Sequence, residues 1–277
     1  MGLEIPLFQG LSLNIGPAHP DGNAYPTAAL QRGLLLLDHG QELAEEAVGF
    51  GVPVLKSGLR TIFPGSITLT WLQEEGTWKI TALYKLNLVE RISKADNIAV
   101  RNKFFYAAKD GLAGLIRRLP ILRGVLTGLS SWLRQLFGWE TIYIPASFLT
   151  DLKVLYTVNS QAGRLGIEID TGDLPPEITE VMLMNELGAH TFDRYQEPAG
   201  ICLEGHEIGC WDEVTAREAW FESSAHRVAF RLSQVPGARL FRGRELVGSR
   251  LAWAGFGYCF APSIQRFHCE LRIEKHS

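Results

Sequence analysis

The polar segment between His190 and Glu218 is the part of this sequence best equipped for chemistry. It combines imidazole, carboxyl, guanidinium, phenol and thiol groups, carried by His190, Asp193, Arg194, Tyr195, Glu197, Cys202, Glu204, His206, Glu207, Cys210, Asp212, Glu213 and Glu218. Two histidines can act as an acid and a base, and a neighbouring carboxylate can orient an imidazole or complete the pair. We therefore take His190, Glu204 and His206 as the candidate catalytic residues, with Glu207 as an alternative carboxylate.

Two other interpretations of this segment stay open. His206 and Cys210 are four residues apart and Cys202 is near them, which would suit a metal ion. The spacing matches neither a CxxC pair nor an HExxH motif, so the sequence predicts no metal and no cofactor. The segment could also be a polar connection between strands, in which the cysteines are small apolar residues.

The seven tryptophans suggest a carbohydrate ligand, because the flat face of an indole packs well on the apolar face of a pyranose. Most large aromatic residues of a β protein belong to its core, so one or two exposed rings would be enough for such a site. Trp211 is the tryptophan inside the polar segment. We take it as a candidate ligand-binding residue together with polar neighbours and one earlier arginine, namely Asp193, Arg194, Tyr195 and Arg60.

The sequence lacks the motifs of the common enzyme classes. There is no GxSxG nucleophile elbow, no GKS or GKT phosphate loop and no complete dinucleotide fingerprint. Gly255-Phe256-Gly257 lies inside a strand pattern, which favours a bulge or a close approach of the backbone over a phosphate site.

Composition indicates a folded soluble protein. Apolar residues make up 46% of the 277 residues and charged residues 21%, with a net charge of −3, which gives no support for nucleic-acid binding. The N-terminal residues lack the charged and apolar regions of a signal peptide. The four cysteines are then expected to be reduced thiols, and we expect a cytoplasmic protein.

Two-residue alternation of apolar and polar side chains predicts a mostly β protein. The clearest strand is Thr77 to Ile92, with Ile80, Tyr84, Leu88 and Glu90 on one face. Further strands are predicted at 32–38, 50–56, 61–63, 67–72, 142–144, 152–158, 165–170, 178–186, 215–222, 226–232, 251–260 and 265–273. Many short strands separated by turn residues predict one continuous domain that is an antiparallel β-sandwich or supersandwich.

One stretch breaks this pattern. From about residue 100 to 138, apolar residues recur at helical spacing, and the segment from Arg101 to Gly138 carries seven cationic side chains and one acidic one. We predict a basic amphipathic helical insertion, interrupted at Pro120. It could cover a sheet face, lie on a membrane surface or bind another protein, and Arg117, Arg118 and Trp132 are the candidate contact residues.

Two short segments resemble the galactose-mutarotase-like sugar epimerases. Gly51-Val52-Pro53-Val54-Leu55, followed by Gly58 and Arg60, resembles the G-x-P-x-L…G-R segment in the early strands of that family. His190-Thr191-Phe192 resembles its His-x-aromatic segment after a strand. The resemblance implies a β-supersandwich in which an acid–base pair acts on an aldose.

Three functional hypotheses follow. The first is a non-catalytic protein that binds a small polar ligand, such as a sugar, on a concave sheet. The second is a mutarotase- or epimerase-like isomerase that uses His190 with Glu204 or His206. The third is peripheral association with a membrane, or with a protein partner, through residues 112–137.

Overall fold

The computed structural model describes residues 2–16, 30–94, 139–247 and 251–276. These residues form strands and turns, with one short 3-10 turn at Gly205–Ile208 and no α-helix. The predicted helical insertion at 100–138 lies outside the described residues, as do Arg117, Arg118 and Trp132, so it stays a prediction. No helix within the described ranges is long and apolar enough to span a membrane.

The strands form two sheets in which every pair of described neighbours is antiparallel, as predicted. The small sheet has the order β1-β2-β3-β4. Its strands are β1 (Leu3–Pro6), β2 (Leu11–Ile15), β3 (Leu35–Asp38) and β4 (Gln41–Glu42). The large sheet contains β5 (Gly49–Ser57), β6 (Arg60–Glu74), β7 (Thr77–Lys94), β8 (Trp139–Asn159), β9 (Arg164–Asp170), β10 (Glu180–Leu187), β11 (Arg194–Gln196), β12 (Cys202–Glu204), β13 (Asp212–Glu213), β14 (Glu218–Ser223), β15 (Val228–Ser233), β16 (Ala238–Val247), β17 (Leu251–Phe260) and β18 (Arg266–Lys275).

The large sheet curls so that its two halves face each other. Its order is β12-β11-β14-β15-β18-β9-β8-β7-β6-β5-β10-β17-β16-β13. Phe50 on β5 nevertheless contacts Phe230 on β15, with ring centroids 5.3 Å apart, and Phe230 also contacts Phe256 on β17 at 5.8 Å. Strands that are distant in the order therefore enclose one aromatic core, which is the β-sandwich arrangement that the alternation predicts.

Irregular ladders account for two of the errors in the predicted strands. Residues 61–63 and 67–72 were expected to be separate strands, but they form the single strand β6, because Pro64 is accommodated where the register with β7 shifts. Residues 142–144 and 152–158 likewise belong to the single strand β8. The predicted strand at 32–38 is confined to Leu35–Asp38. Seven observed strands were not predicted, namely β1, β2, β4, β11, β12, β13 and β16.

A second irregularity changes which residues face the core. The register of β7 against β8 shifts between Leu86 and Leu88. Beyond this bulge Val89 joins the main core, whereas Leu88 packs in a second apolar cluster. The prediction that Leu88 and Glu90 share a face with Ile80 is therefore wrong, because an extra residue in a strand exchanges its two faces.

Candidate functional site

The second apolar cluster lies on the outer side of β5 and β10, away from the main core. On β10, Val181, Leu183 and Leu187 belong to the main core, whereas Met182 and Met184 pack in the second cluster. Residues two apart in a strand share a face, so Glu186 lies on the same side as the two methionines. The outer side of this strand thus presents Met182 and Met184 between two carboxyl groups, Glu180 at its start, which is paired with Lys56 and Arg239, and Glu186 near its end.

Glycines on the neighbouring strands leave room for two indole rings. A Cβ atom on Gly257 of β17 would lie 2.6 Å from the ring of Trp211, and one on Gly243 of β16 would lie 2.6 Å from the ring of Trp253. Both contacts are too short for any side chain, so each indole rests directly on glycine backbone. The close approach expected at Gly255-Phe256-Gly257 is confirmed, and what approaches Gly257 is an aromatic ring.

Trp211 and Trp253 stack on each other, with ring centroids 4.9 Å apart and planes at 26°. Trp253 is buried and Trp211 is half-buried. Trp211 has a φ of 60°, a left-handed conformation that is rare for a bulky residue and costs on the order of 1–3 kcal/mol. The fold therefore holds one partly exposed indole in a strained conformation on top of a buried one.

Glu186 is buried, with 5% of its surface exposed. Burial raises the pKa of its carboxyl group to about 8, repulsion from Glu245 adds to the rise, and a hydrogen bond from the backbone of Val48 partly offsets it. At neutral pH the group is then mostly protonated, so it can donate a hydrogen bond or a proton. A carboxyl group with a strongly raised pKa, next to partly exposed residues, is typical of functional sites.

Tyr143 lies where several acidic groups converge. Its pKa is raised, mainly by burial and further by the charges of Glu90, Glu186 and Glu245. Glu90 stands directly opposite Tyr143 across β7 and β8, and the Tyr143 ring packs edge-on against Phe63 at 5.1 Å. The phenol stays protonated at physiological pH and offers a hydroxyl group within this acidic environment.

We use the name Glu186 patch for this group of residues, which is made up of Glu90, Tyr143, Glu186, Trp211, Glu245 and Trp253. Gly243, beneath the Trp253 ring, pairs with Gly255, which in turn pairs with Glu186, so this ring lies about two strand spacings, or about 10 Å, from the Glu186 backbone. The Trp211 ring lies over Gly257, which is on the strand next to β10 and pairs with Met184. The floor of the patch is buried, whereas Glu90, Tyr143, Trp211 and Glu245 are partly exposed. The arrangement combines an aromatic surface, a neutral carboxyl and further carboxyl groups on one side of the sheet.

Among the ligand-binding residues that the sequence predicts, Trp211 belongs to the Glu186 patch and the others do not. Tyr195 is buried in the main core, and its hydroxyl donates to Glu197 at 2.6 Å. Arg194 forms a 3.0 Å ion pair with Glu204, a candidate catalytic residue that lies at the protein surface. Asp193 is exposed, and Arg60 is exposed at the turn between β5 and β6.

His190 lies on the turn after β10 and is exposed. The Glu45 carboxylate anchors this turn, since it accepts hydrogen bonds from the backbone of Thr191 at 3.1 Å and of His190 at 3.4 Å. The backbone of His206 forms part of the 3-10 turn, and its side chain is outside the described set. The catalytic roles of His190, Glu204 and His206 stay predictions.

Five members of the patch were not predicted as site residues from the sequence, namely Glu90, Tyr143, Glu186, Glu245 and Trp253. A signal for Glu186 does exist, because it is a charged residue in the otherwise apolar run Val181 to Leu187. In the described part of the chain, no group of three or more histidine, cysteine, aspartate or glutamate residues is placed to hold a metal ion.

No protein-family model and no curated protein matches the sequence. Among solved structures, the chain is similar to the alpha-N-acetylgalactosaminidase NagBb from Bifidobacterium bifidum in complex with GalNAc, with a TM-score of 0.51 and 10% identity over 99% of this chain and 36% of that chain. The Gal-NHAc-DNJ complex of the same protein gives a TM-score of 0.50, also at 10% identity, 99% and 36%.

A putative aldose 1-epimerase from Escherichia coli has a TM-score of 0.40 and 8% identity over 100% of both chains. The chain spans only about a third of the length of NagBb, 36%. At 10% identity the similarity to NagBb concerns the fold alone. That fold is the largely antiparallel β architecture described above.

Proposed function

We propose that the protein binds a carbohydrate at the Glu186 patch. The observation that carries the proposal is the buried Glu186 carboxyl, with a pKa of about 8, on the same side of the sheet as the stacked indoles of Trp211 and Trp253. A sugar ring presents an apolar face of C–H groups and an edge of hydroxyl groups. The partly exposed indole of Trp211, supported by the buried Trp253, offers a surface for the first, and the carboxyl groups offer donors and acceptors for the second.

The fold comparison supports this choice of ligand class. NagBb, which shares the fold with this chain over 36% of its own length, is an alpha-N-acetylgalactosaminidase solved in complex with GalNAc. We infer a monosaccharide or a short oligosaccharide, because a single pair of stacked indoles offers an aromatic surface of about one sugar ring.

Isothermal titration against a panel of neutral, amino and acidic sugars tests the proposal. For a sugar that binds, Trp211→Ala should weaken the affinity by about 2- to 12-fold, which corresponds to an aromatic contact of about 0.5–1.5 kcal/mol. Trp71→Ala is the matched control, because Trp71 is 48% exposed and lies on β6, outside the Glu186 patch. Absence of heat with every sugar, or an equal loss in both variants, would contradict the proposal.

An acid–base isomerase is a second candidate, favoured by the same carboxyl. A group with a pKa near 8 can give up and accept a proton at neutral pH, and Glu245 is a second carboxyl close enough to raise that pKa. Opening an aldose ring requires removal of the proton from the anomeric hydroxyl and delivery of a proton to the ring oxygen. Glu186 would deliver the second proton, and another basic group would take the first.

Polarimetry with freshly dissolved aldoses distinguishes the two candidates. If the protein is an isomerase, Glu186→Gln should abolish the acceleration of mutarotation while the sugar still binds, since the amide keeps the shape and hydrogen-bonding capacity of the acid. If it only binds sugars, the wild type should not accelerate mutarotation. The parallel variants His190→Gln and Glu204→Gln test whether the residues predicted from sequence are the ones that act.

A further inference from the structure

Strand β6 has a long edge that its neighbouring strand does not cover. Among the described residues, β5 pairs with β6 at Arg60 to Ile62 only, whereas β7 pairs with it as far as Glu74. From Ser66 to Glu74, the only strand of the described chain that pairs with β6 is therefore β7. Along this stretch Ser66, Thr68 and all residues from Thr70 onward are exposed.

Between Ser66 and Gln73 this edge lacks the features that normally protect the edge of a sheet. Natural edge strands carry charged residues, prolines or bulges that prevent pairing with another chain. The stretch from Ser66 to Gln73 contains no charged residue and no proline, and its register with β7 is regular. Exposed apolar side chains lie on it and beside it, because Trp71 is 48% exposed, Leu72 54% and Leu83, on β7, 41%.

We propose that two copies of this chain associate through their β6 edges in an antiparallel, two-fold symmetric pair centred on Thr70. The surface formed by Ser66 to Gln73 is complementary to itself in this arrangement. Leu69 of one copy would stand opposite Trp71 of the other, and Thr68 opposite Leu72. Both pairs occur twice, as a two-fold axis requires.

The pairing also avoids electrostatic repulsion. With Thr70 on the axis, Glu74 stands opposite Ser66, so no two carboxylates face each other. Leu83 lies next to Thr68 on the same side of the sheet, since the two residues are directly paired across β6 and β7. Leu72 of the second copy would therefore stand in the same row as Leu83, with Thr68 between them. A second copy fits this edge in both hydrogen bonding and side-chain chemistry.

Light scattering after size-exclusion chromatography, over about 5 to 200 µM protein, tests the association by mass action. The wild type should rise from the monomer mass of 30.8 kDa toward twice that value as concentration increases. Thr70→Lys should hold the protein at the monomer mass, because two lysines would then stand directly opposite each other. Leu59→Lys is the control and should still dimerise, since Leu59 is 67% exposed but precedes β6.

Cross-linking tests the register independently of stability. Residues opposite each other in an antiparallel pair have Cα atoms about 4.5–5.5 Å apart, a separation that suits a disulfide. In a background in which Cys202 and Cys210, both exposed, are replaced by serine, Thr70→Cys should form a covalent dimer on oxidation and Thr157→Cys, exposed on β8, should not. A monomer at every concentration overturns the proposal. A dimer that Thr70→Lys leaves intact, or equal cross-linking of both cysteine variants, also overturns it.

Discussion

The ring of Trp211 lies 4.9 Å from the ring of Trp253, and glycine backbone on β16 and β17 forms the surface beneath both. Neither indole could occupy its position if the strands below carried side chains there. The aromatic part of the Glu186 patch therefore depends on glycines as much as on tryptophans. This dependence can be tested by substitution of a glycine.

Replacing Gly257 with valine should displace the Trp211 ring. A Cβ at this position would be 2.6 Å from the indole, so the ring or the strand must move, and overpacking of this kind destabilises by about 1–3 kcal/mol. We expect weaker sugar binding and a shift in tryptophan fluorescence. Gly166→Ala is the control, because its nearest neighbour would be 3.5 Å away, an ordinary contact. Unchanged fluorescence in the Gly257 variant would refute this packing.

The buried carboxyl of Glu186 should make stability depend on pH. Its pKa is about 8 in the folded protein, against an ordinary value of 4.5 for a glutamate exposed to solvent, so the folded state binds more protons than the unfolded state between these limits. The contribution is complete below about pH 4.5 and is lost as the pH rises through 8, by on the order of a few kcal/mol.

Urea unfolding at several pH values between 5 and 9, about one unit apart, measures this contribution. In Glu186→Gln the decline with pH should be smaller, because the amide does not ionise. Glu177→Gln, an exposed position, should keep the decline of the wild type. Parallel curves for the wild type and the Glu186 variant would show that this carboxyl is ionised in the folded protein.

Asp38 should hold the small sheet in place. Its carboxylate accepts a hydrogen bond from Lys275 at 2.6 Å and shares one with His226 at 3.0 Å, and these partners outweigh the opposing effect of burial, so the pKa is lowered. Asp38→Asn should destabilise by about 1.5–3 kcal/mol, as expected for hydrogen bonds to a charged group. Amide exchange should accelerate most in β1 to β4, whereas the exposed control Asp173→Asn should change little.

Because the folded pKa of Asp38 lies below its ordinary value of 3.8, this contribution is present above that value and is lost as the pH falls through the folded pKa. The difference in stability between the wild type and Asp38→Asn should therefore shrink in strong acid. A constant difference down to about pH 2 would show that packing, and not ionisation, is responsible.

The surface residues His190 and Glu204 should be dispensable for binding if the Glu186 patch is the site. Glu204→Gln removes an exposed ion pair with Arg194, which is worth less than about 1 kcal/mol. His190→Ala removes an exposed side chain whose turn is anchored through its backbone. Titration of both variants with a sugar that binds the wild type should give an unchanged Kd, and a large loss in either would restore the assignment made from sequence.

Alternation in the sequence is enough to predict antiparallel strands such as β17, whose bounds Leu251–Phe260 agree with the predicted 251–260. Alternation fails to predict which residues face the core where a β-bulge adds a residue and so exchanges the two faces of the strand. Glu90 lies beside Tyr143 and not with Tyr84, because the register shifts after Leu86. The phase change is set by pairing with β8, a strand more than forty residues away in the chain, so no local pattern reveals it.

The Glu186 patch was hidden for a related reason. Its members come from β7, β8, β10, β16, β17 and the Trp211 turn, which are distant in sequence. Clustering of polar residues along the chain pointed to His190 to Glu218, where only Trp211 joins the patch. The apolar run around Glu186 predicts a buried strand, and a single charged residue within such a run does not change that prediction.

Strand β10 has apolar clusters against both of its faces, the main core on one side and the second cluster on the other. Most strands of such a protein tolerate change at every other position, where the side chain meets water. Positions 181–187 have no solvent-exposed face of this kind, because six of the seven residues are buried and Met182 is packed against the second cluster. In a saturation mutagenesis experiment, substitutions should therefore be destabilising at every position of this segment. Among related sequences, this segment should vary less than strands with one face exposed to solvent.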